Sequence, residues 1–258
     1  MTVTIGRREL LAALGGAAVL APLAASAQEP GRIYRLGVLV PTVSRQSPAV
    51  LAFFDELRHN GFVEGQNLTV IQGSFDVPND RLAGEAAALV KAAPDAIVAG
   101  PELPLRALQA ATRTIPLVGA SDDMVAEGLV TSLARPGGNI TGISLLSPEL
   151  DGKRQDILIE AVPGARRIAA MADSTANPPY HLQVLQHGAR SRGYGPRFAD
   201  MYRQRARIAV KIFRGAKPAD IPVEIPDRYE LVINLKAAKA IGHEVPAGLV
   251  LRADKVIE

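Results

Sequence analysis

From Tyr34 onward, short runs of branched apolar residues alternate with longer stretches whose apolar positions recur at helical spacing. Leu36 to Val40 is continuously apolar and is followed by Pro41-Thr42-Val43-Ser44, which predicts a buried strand that opens into a loop at its carboxyl end. Pro48 to Asn60 places Val50, Leu51, Phe53, Phe54 and Leu57 on one helical face, and Gly61 closes it. The same rhythm predicts strands at 68–71, 95–99 and 115–118, with helices at 81–92 and 103–112. Val125, Leu129, Val130 and Leu133 then predict a helix from Met124 to Ala134, and Pro136-Gly137-Gly138-Asn139 breaks it before an apolar strand at 140–146. Repeated strand and helix units of this length imply a parallel sheet with helices on both faces and right-handed crossovers. In such a sheet, ligands settle where loops leave the carboxyl ends of strands.

Beyond this block the pattern predicts a helix at 148–161, a strand at 166–171 and a helix from Asn177 to about Arg192. Phe198, Met201, Tyr202, Ile208, Ala209, Ile212 and Phe213 form one helical face, with Arg203, Arg207, Lys211 and Arg214 on another. A basic strip of this kind suits nucleic acid or acidic lipid, but no stacking aromatics are interleaved with it, so it reads as a solvated helix face. Lys217 to Pro226 is a proline-punctuated connector, followed by a strand at 229–234 and a short helix at 235–241.

Composition changes the picture in three places. Arg7-Arg8, an apolar run to about Leu23 and the small residues Ala25-Ser26-Ala27 read as a twin-arginine-like secretory signal, 1–27, cleaved near Ala27. That run falls short of the roughly 20 predominantly apolar residues of a secure membrane span. The chain has no Cys, so no disulfides brace it in an oxidising compartment; with 48% hydrophobic residues and no Trp, stability rests on an aliphatic core. A net charge of +3 says little about an anionic partner. His59, His181, His187 and His243 match no metal spacing, and neither a phosphate loop nor a dinucleotide fingerprint is present. Gly142-Ile143-Ser144 lacks the second glycine of a nucleophile elbow, so the reading is a non-enzyme with no cofactor and no metal.

A resemblance adds to this. Ala134-Arg135-Pro136-Gly137-Gly138-Asn139-Ile140-Thr141-Gly142-Ile143-Ser144, then Ser147-Pro148-Glu149-Leu150-Asp151-Gly152-Lys153-Arg154, resembles the ABC-transporter substrate-binding proteins of the tryptophan/tyrosine type. Tyr34 to Pro41 and Gly61 to Leu68 carry it before that stretch. Tyr194-Gly195-Pro196, Gly215 to Asp220 and Tyr229 to Lys236 carry it afterwards. The resemblance implies a type I periplasmic-binding-protein-like α/β fold: a parallel doubly wound sheet in the first lobe, 28–147, facing a second α/β lobe. It implies a periplasmic solute-binding component of an ABC importer that takes a small polar, amino-acid-like solute in the cleft and hands it to a permease in the inner membrane.

The chain departs from that family where Arg190-Ser191-Arg192-Gly193 runs directly into Tyr194-Gly195-Pro196, because several strand and helix units of the second lobe are missing there. The expected organisation is therefore a hinge and truncated second lobe at 148–228, and a C-terminal segment at 229–258 that returns to the first lobe. An uncovered strand edge in the shortened lobe offers a route to self-association. The alternatives are a degenerate member that no longer binds ligand and a periplasmic enzyme on a similar scaffold.

The candidate ligand-binding residues lie at predicted strand ends: Thr42 and Ser44; Gly100, Pro101 and Glu102; Ser121, Asp122 and Asp123; and Thr141 and Gly142. Small and hydroxyl-bearing residues there let backbone amides and side-chain oxygens meet a carboxylate, while an Asp accepts from an ammonium. The resemblance adds Asn177 and Tyr194 from the second lobe, and it favours the 121–123 loop without deciding between Asp122 and Asp123.

Overall fold

The computed structural model describes residues 31–40, 43–71, 78–163 and 194–258. The predicted signal, the strand at 166–171 and the helix at 177–192 lie outside the described residues. Five parallel strands make the main sheet: β1 (Tyr34–Leu39), β2 (Leu68–Val70), β3 (Ala96–Ala99), β4 (Leu117–Ser121) and β5 (Ile140–Ser144), in the order β2-β1-β3-β4-β5. The period of two along each strand sorts the core into two clusters. Leu36, Val38, Val98, Val118 and Ile143 face α1 (Pro48–His59). Leu39, Ile97, Ala99 and Leu117 face α2 (Leu82–Lys91) and α3 (Glu102–Ala111). Both faces of the sheet are covered, which is why its strands read as unbroken apolar runs. The chain moves from β1 outward to β2 and then back across to β3, so the β1 and β3 loops leave on opposite faces and open a crevice at the strands' carboxyl ends.

The predicted helix at 124–134 is not formed. Met124 begins a single helical turn that Gly128 ends at φ 68°, with Gly128 N–H bonded to Val125 O (2.9 Å) and Leu129 N–H to Met124 O (3.0 Å). These two bonds are the paired ones that terminate a helix at a left-handed glycine, so Leu129 and Val130 reach the core from a turn. Apolar spacing continues through Leu133, but Gly128 at positive φ has already ended the turn.

The helix α5 (Phe198–Phe213) packs against α1 and the main sheet, and Tyr34, Phe62 and Phe213 cluster edge-to-face and tilted with ring centroids 5.0–5.2 Å apart. After α5, Ile221 to Ile225 runs along the outer edge of β5: Glu224 N–H donates to Gly142 O (2.8 Å) and Ser144 N–H to Glu224 O (2.9 Å). The basic strip lies on a solvated face, with Arg203, Arg207 and Lys211 40–50% exposed, and its members also pair within the chain. Arg203 bonds Asp200 (2.9 Å), Arg207 meets Glu56 (3.7 Å), Lys211 meets Glu224 (3.1 Å) and Arg214 donates to Asn60 O (3.2 Å).

The described elements after Ser147 are shared between the main sheet and a second, smaller one. α5 and 221–225 pack on the main sheet, and ten of the sixteen residues of α5 are buried there, Gln204 and Arg205 among them. Residues 194–196 and 229–258 build a separate three-stranded sheet. It comprises β6 (Tyr194–Pro196), antiparallel to β7 (Tyr229–Asn234), and β8 (Lys255–Ile257), parallel to β7. Leu231, Ile233 and Leu249 of this unit pack with Ile157 from α4 (Ser147–Ala161). Two short helices, α6 (Leu235–Ala240) and α7 (Ala247–Val250), complete it.

Candidate functional site

The carboxyl ends of the main-sheet strands gather most of the sequence-predicted residues. Ser44 is exposed, and its Oγ accepts from Gln46 N–H (3.2 Å) in the turn that leads to Ser47. Ser47 caps α1 by accepting Val50 N–H (3.3 Å), which leaves the helix's positive end facing the crevice. At the end of β3 the Gly100–Pro101 bond is cis, and a Cβ on Gly100 would meet Ala120 O at 3.1 Å. Glu102 opens α3 and bonds Arg106 (2.5 Å), whose Nη2 also donates to Glu127 O (2.9 Å). The β3 and β4 loops are thereby tied together.

In the β4 loop, Asp123 Oδ1 accepts from both Val125 and Ala126 N–H at 3.0 Å, so this carboxylate is committed to starting the turn. Asp122 beside it is half-buried. Ser121 is buried and its Oγ completes no hydrogen bond. Thr141 and Gly142 lie inside β5, away from its mouth. The Thr141 hydroxyl donates to Ile221 O (2.8 Å), and a Cβ on Gly142 would sit 2.1 Å from Gly119 O. Both secure the edge of the sheet. Tyr194 starts β6, where its backbone pairs with Leu231. Thr42 and Asn177 lie outside the described residues.

Two charged residues that sequence reasoning missed sit at these strand ends. Glu127 is only 7% exposed; Oε1 accepts Asp123 N–H (3.0 Å) and Oε2 has no partner. Burial pushes its carboxyl up from 4.5 to about 7. The Asp123 N–H pulls it back, while Glu102 and Asp122 push it further up. Arg205 is 1% exposed and reaches the point where the β3–β4 pairing stops, with Nη2 donating to Ala99 O (2.5 Å) and Val118 O (3.4 Å). Its Nε is unpartnered, its guanidinium lies 5.0 Å from the centre of the Tyr202 ring, and burial lowers its proton affinity. A signal for Arg205 did exist, since it falls on the 198–201–205–208–212 stripe where every neighbour is apolar. Glu127, one polar residue in a turn, had none.

A cavity of about 560 Å³ lies between the β1–α1 junction, the start of α5 and the small sheet. Val43, Ala49, Phe198 and the Tyr202 ring give it apolar walls, Ser47 contributes a hydroxyl, and Arg197, Glu230 and Lys255 line it as well. That size and mixture suit a small organic solute. A larger hollow of about 680 Å³ lies on α6 and α7, between Leu235, Ala238, Val245 and Leu251, and involves none of the main-sheet strand ends. Among the described residues, no group of three or more His, Asp or Glu is placed to hold a metal, and no helix is long and apolar enough to cross a membrane.

Comparison with solved structures finds the same architecture. A conserved domain protein from Vibrio cholerae O1 biovar El Tor superposes with a TM-score of 0.76 at 21% identity, over 87% of this chain and 100% of that one. An ABC domain from Streptococcus pneumonia, in complex with L-Trp, gives 0.69 at 18% identity over 87% and 100%. The ligand-free, open form of a substrate-binding protein with adhesive properties from Clostridium difficile gives 0.65 at 17% over 87% and 99%. No curated protein matches the chain. The sequence pattern described as ABC transporter substrate binding protein matches residues 44–193 and 182–257. Nearly the whole described chain is thus accounted for, and the protein belongs to the ABC transporter substrate-binding protein family.

Proposed function

We propose that the protein is the exported, solute-binding component of an ABC importer, with its leader cleaved near Ala27 and a permease as its membrane partner. It takes a small, amino-acid-like solute in the crevice at the end of β1. The single observation that carries this is the cavity of about 560 Å³, which joins the main sheet to the small sheet and combines apolar walls with a charged rim. The L-Trp in one structural relative supports the same class of solute. In this reading one lobe comprises 31–147 with 198–225, and α4 with 229–258 represents the other. Binding, with no chemical step, is the expected activity.

A second reading is a family member that no longer binds. It is favoured by the small sheet, which has only three strands among the described residues. Thermal unfolding of the purified protein with a panel of amino acids and small carboxylates separates the two. A solute at a hundred times its Kd adds about 2.7 kcal/mol, which at about 2–4 °C per kcal/mol raises the midpoint by roughly 5–11 °C. A transition unmoved by every member of the panel assigns the chain to the non-binding reading.

A further inference from the structure

Two hollows meet at one ring. The cavity of about 560 Å³ takes its α1 lining from Ser47, Pro48 and Ala49, and its α5 lining from Phe198, Ala199 and Tyr202, at the start of both helices. Further along, Val50, Phe53 and Phe54 of α1, with Val38, Val40 and Val98 from the strands beneath, wall a second hollow of about 10 Å³ together with the same Tyr202. That is barely the room a single water needs, about 10–15 Å³. Tyr202 lines both hollows, so its ring is the partition between the open cavity and the apolar interior.

The partition is held from several sides. Tyr202 is only 6% exposed and belongs to the same core cluster as Val50, Phe53 and Val98. Arg205 lies three residues on, a neighbour along the helix surface, and its guanidinium sits 5.0 Å from the centre of the ring. That guanidinium is anchored in turn on Ala99 O (2.5 Å) and Val118 O (3.4 Å), so one side chain ties the ring to β3 and β4. A ring packed this closely keeps its place. The walls behind it are aliphatic and aromatic, and an apolar chain gains with every methylene that leaves water for such surroundings. The ring denies a solute that gain.

Resting on the solute-binding reading above, we propose that Tyr202 is the specificity-determining residue of this cavity: its ring is the floor that limits the length of the apolar part a solute can bury between α1 and α5. Solutes with short apolar parts fit above the ring, and longer ones stop against it. Removing the ring joins the two hollows into one deeper chamber.

Calorimetry and thermal shift with two straight-chain series test this: amino acids from alanine to 2-aminooctanoate, and carboxylic acids from butyrate to decanoate. With the wild-type protein, affinity is expected to rise with chain length to a limit and then to level off or fall. In Tyr202→Ala the limit moves to longer chains, with about fourfold tighter binding for each methylene gained beyond the wild-type limit. Tyr202→Phe keeps the ring and should leave the limit where it is. Wild-type affinity that goes on rising through the longest probe, or a folded Tyr202→Ala with the wild-type limit, overturns the proposal and leaves solute binding intact. A limit moved by Tyr202→Phe overturns it too, because the hydroxyl and not the ring then sets the selectivity. Should Tyr202→Ala not fold, Tyr202→Leu, which keeps an apolar side chain in the core but is shorter than the ring, carries the same expectation and the same refutation. If no probe binds the wild type, this proposal and the solute-binding reading fall together.

Discussion

The buried carboxyl of Glu127 gives this protein a pH-dependent stability that one substitution isolates. Desolvation raises the group from 4.5 to about 7, chiefly because its side chain is enclosed beside Ser121 and close to Glu102 and Asp122. The folded state therefore binds the proton more tightly than the unfolded chain, and stability falls wherever the folded state holds more protons. The stabilisation is complete below about pH 4.5, declines as pH rises towards 7, and is absent above it. At about 1.4 kcal/mol per tenfold change in proton affinity, the loss is about 3 kcal/mol across that window. Glu127→Gln keeps the oxygen that accepts Asp123 N–H and removes the titration. Melting midpoints from pH 4.5 to 8.5 should show the wild type falling relative to the variant by roughly 6–12 °C, levelling above pH 7. Parallel curves for the two proteins would refute the reasoning.

Two further predictions concern the edge of the main sheet. Gly142→Ala forces a Cβ against Gly119 O, 2.1 Å away, at a φ of 149° that favours glycine, so it should cost more than about 3 kcal/mol and show in denaturant titration as a lower midpoint or failure to fold. Thr141→Val keeps the shape of the side chain but leaves the Ile221 carbonyl without its donor, so a loss of about 1–3 kcal/mol is expected by the same titration. An unchanged midpoint would show that the 221–225 segment does not depend on that bond.

Much of the strand and helix order was legible because burial on both faces writes itself into sequence as apolar runs. β1, β3 and β4 are buried almost throughout, and their boundaries fall where polar or cyclic residues begin. The 124–134 segment misled for a local reason: apolar spacing persists through Leu133, while Gly128 at positive φ has already turned the backbone. The candidate site was only partly legible. The 100–102 and 121–123 loops lie at strand carboxyl ends, where their position in the sequence predicts them, while Thr141 and Gly142 lie inside β5.

What the sequence by itself determined is local and periodic: a parallel α/β sheet, its crossovers and the loops at its carboxyl ends, all fixed by which face of each element must leave water. What only the tertiary structure decided is which distant segments share a core. α5 lies more than 80 residues after β3 in the chain, yet Arg205 on its apolar face bonds Ala99, and the small sheet delivers Glu230 and Lys255 to a cavity begun by Ser47. Such pairings depend on how whole elements pack, and packing energy is shared among residues that carry no mark of one another in the sequence.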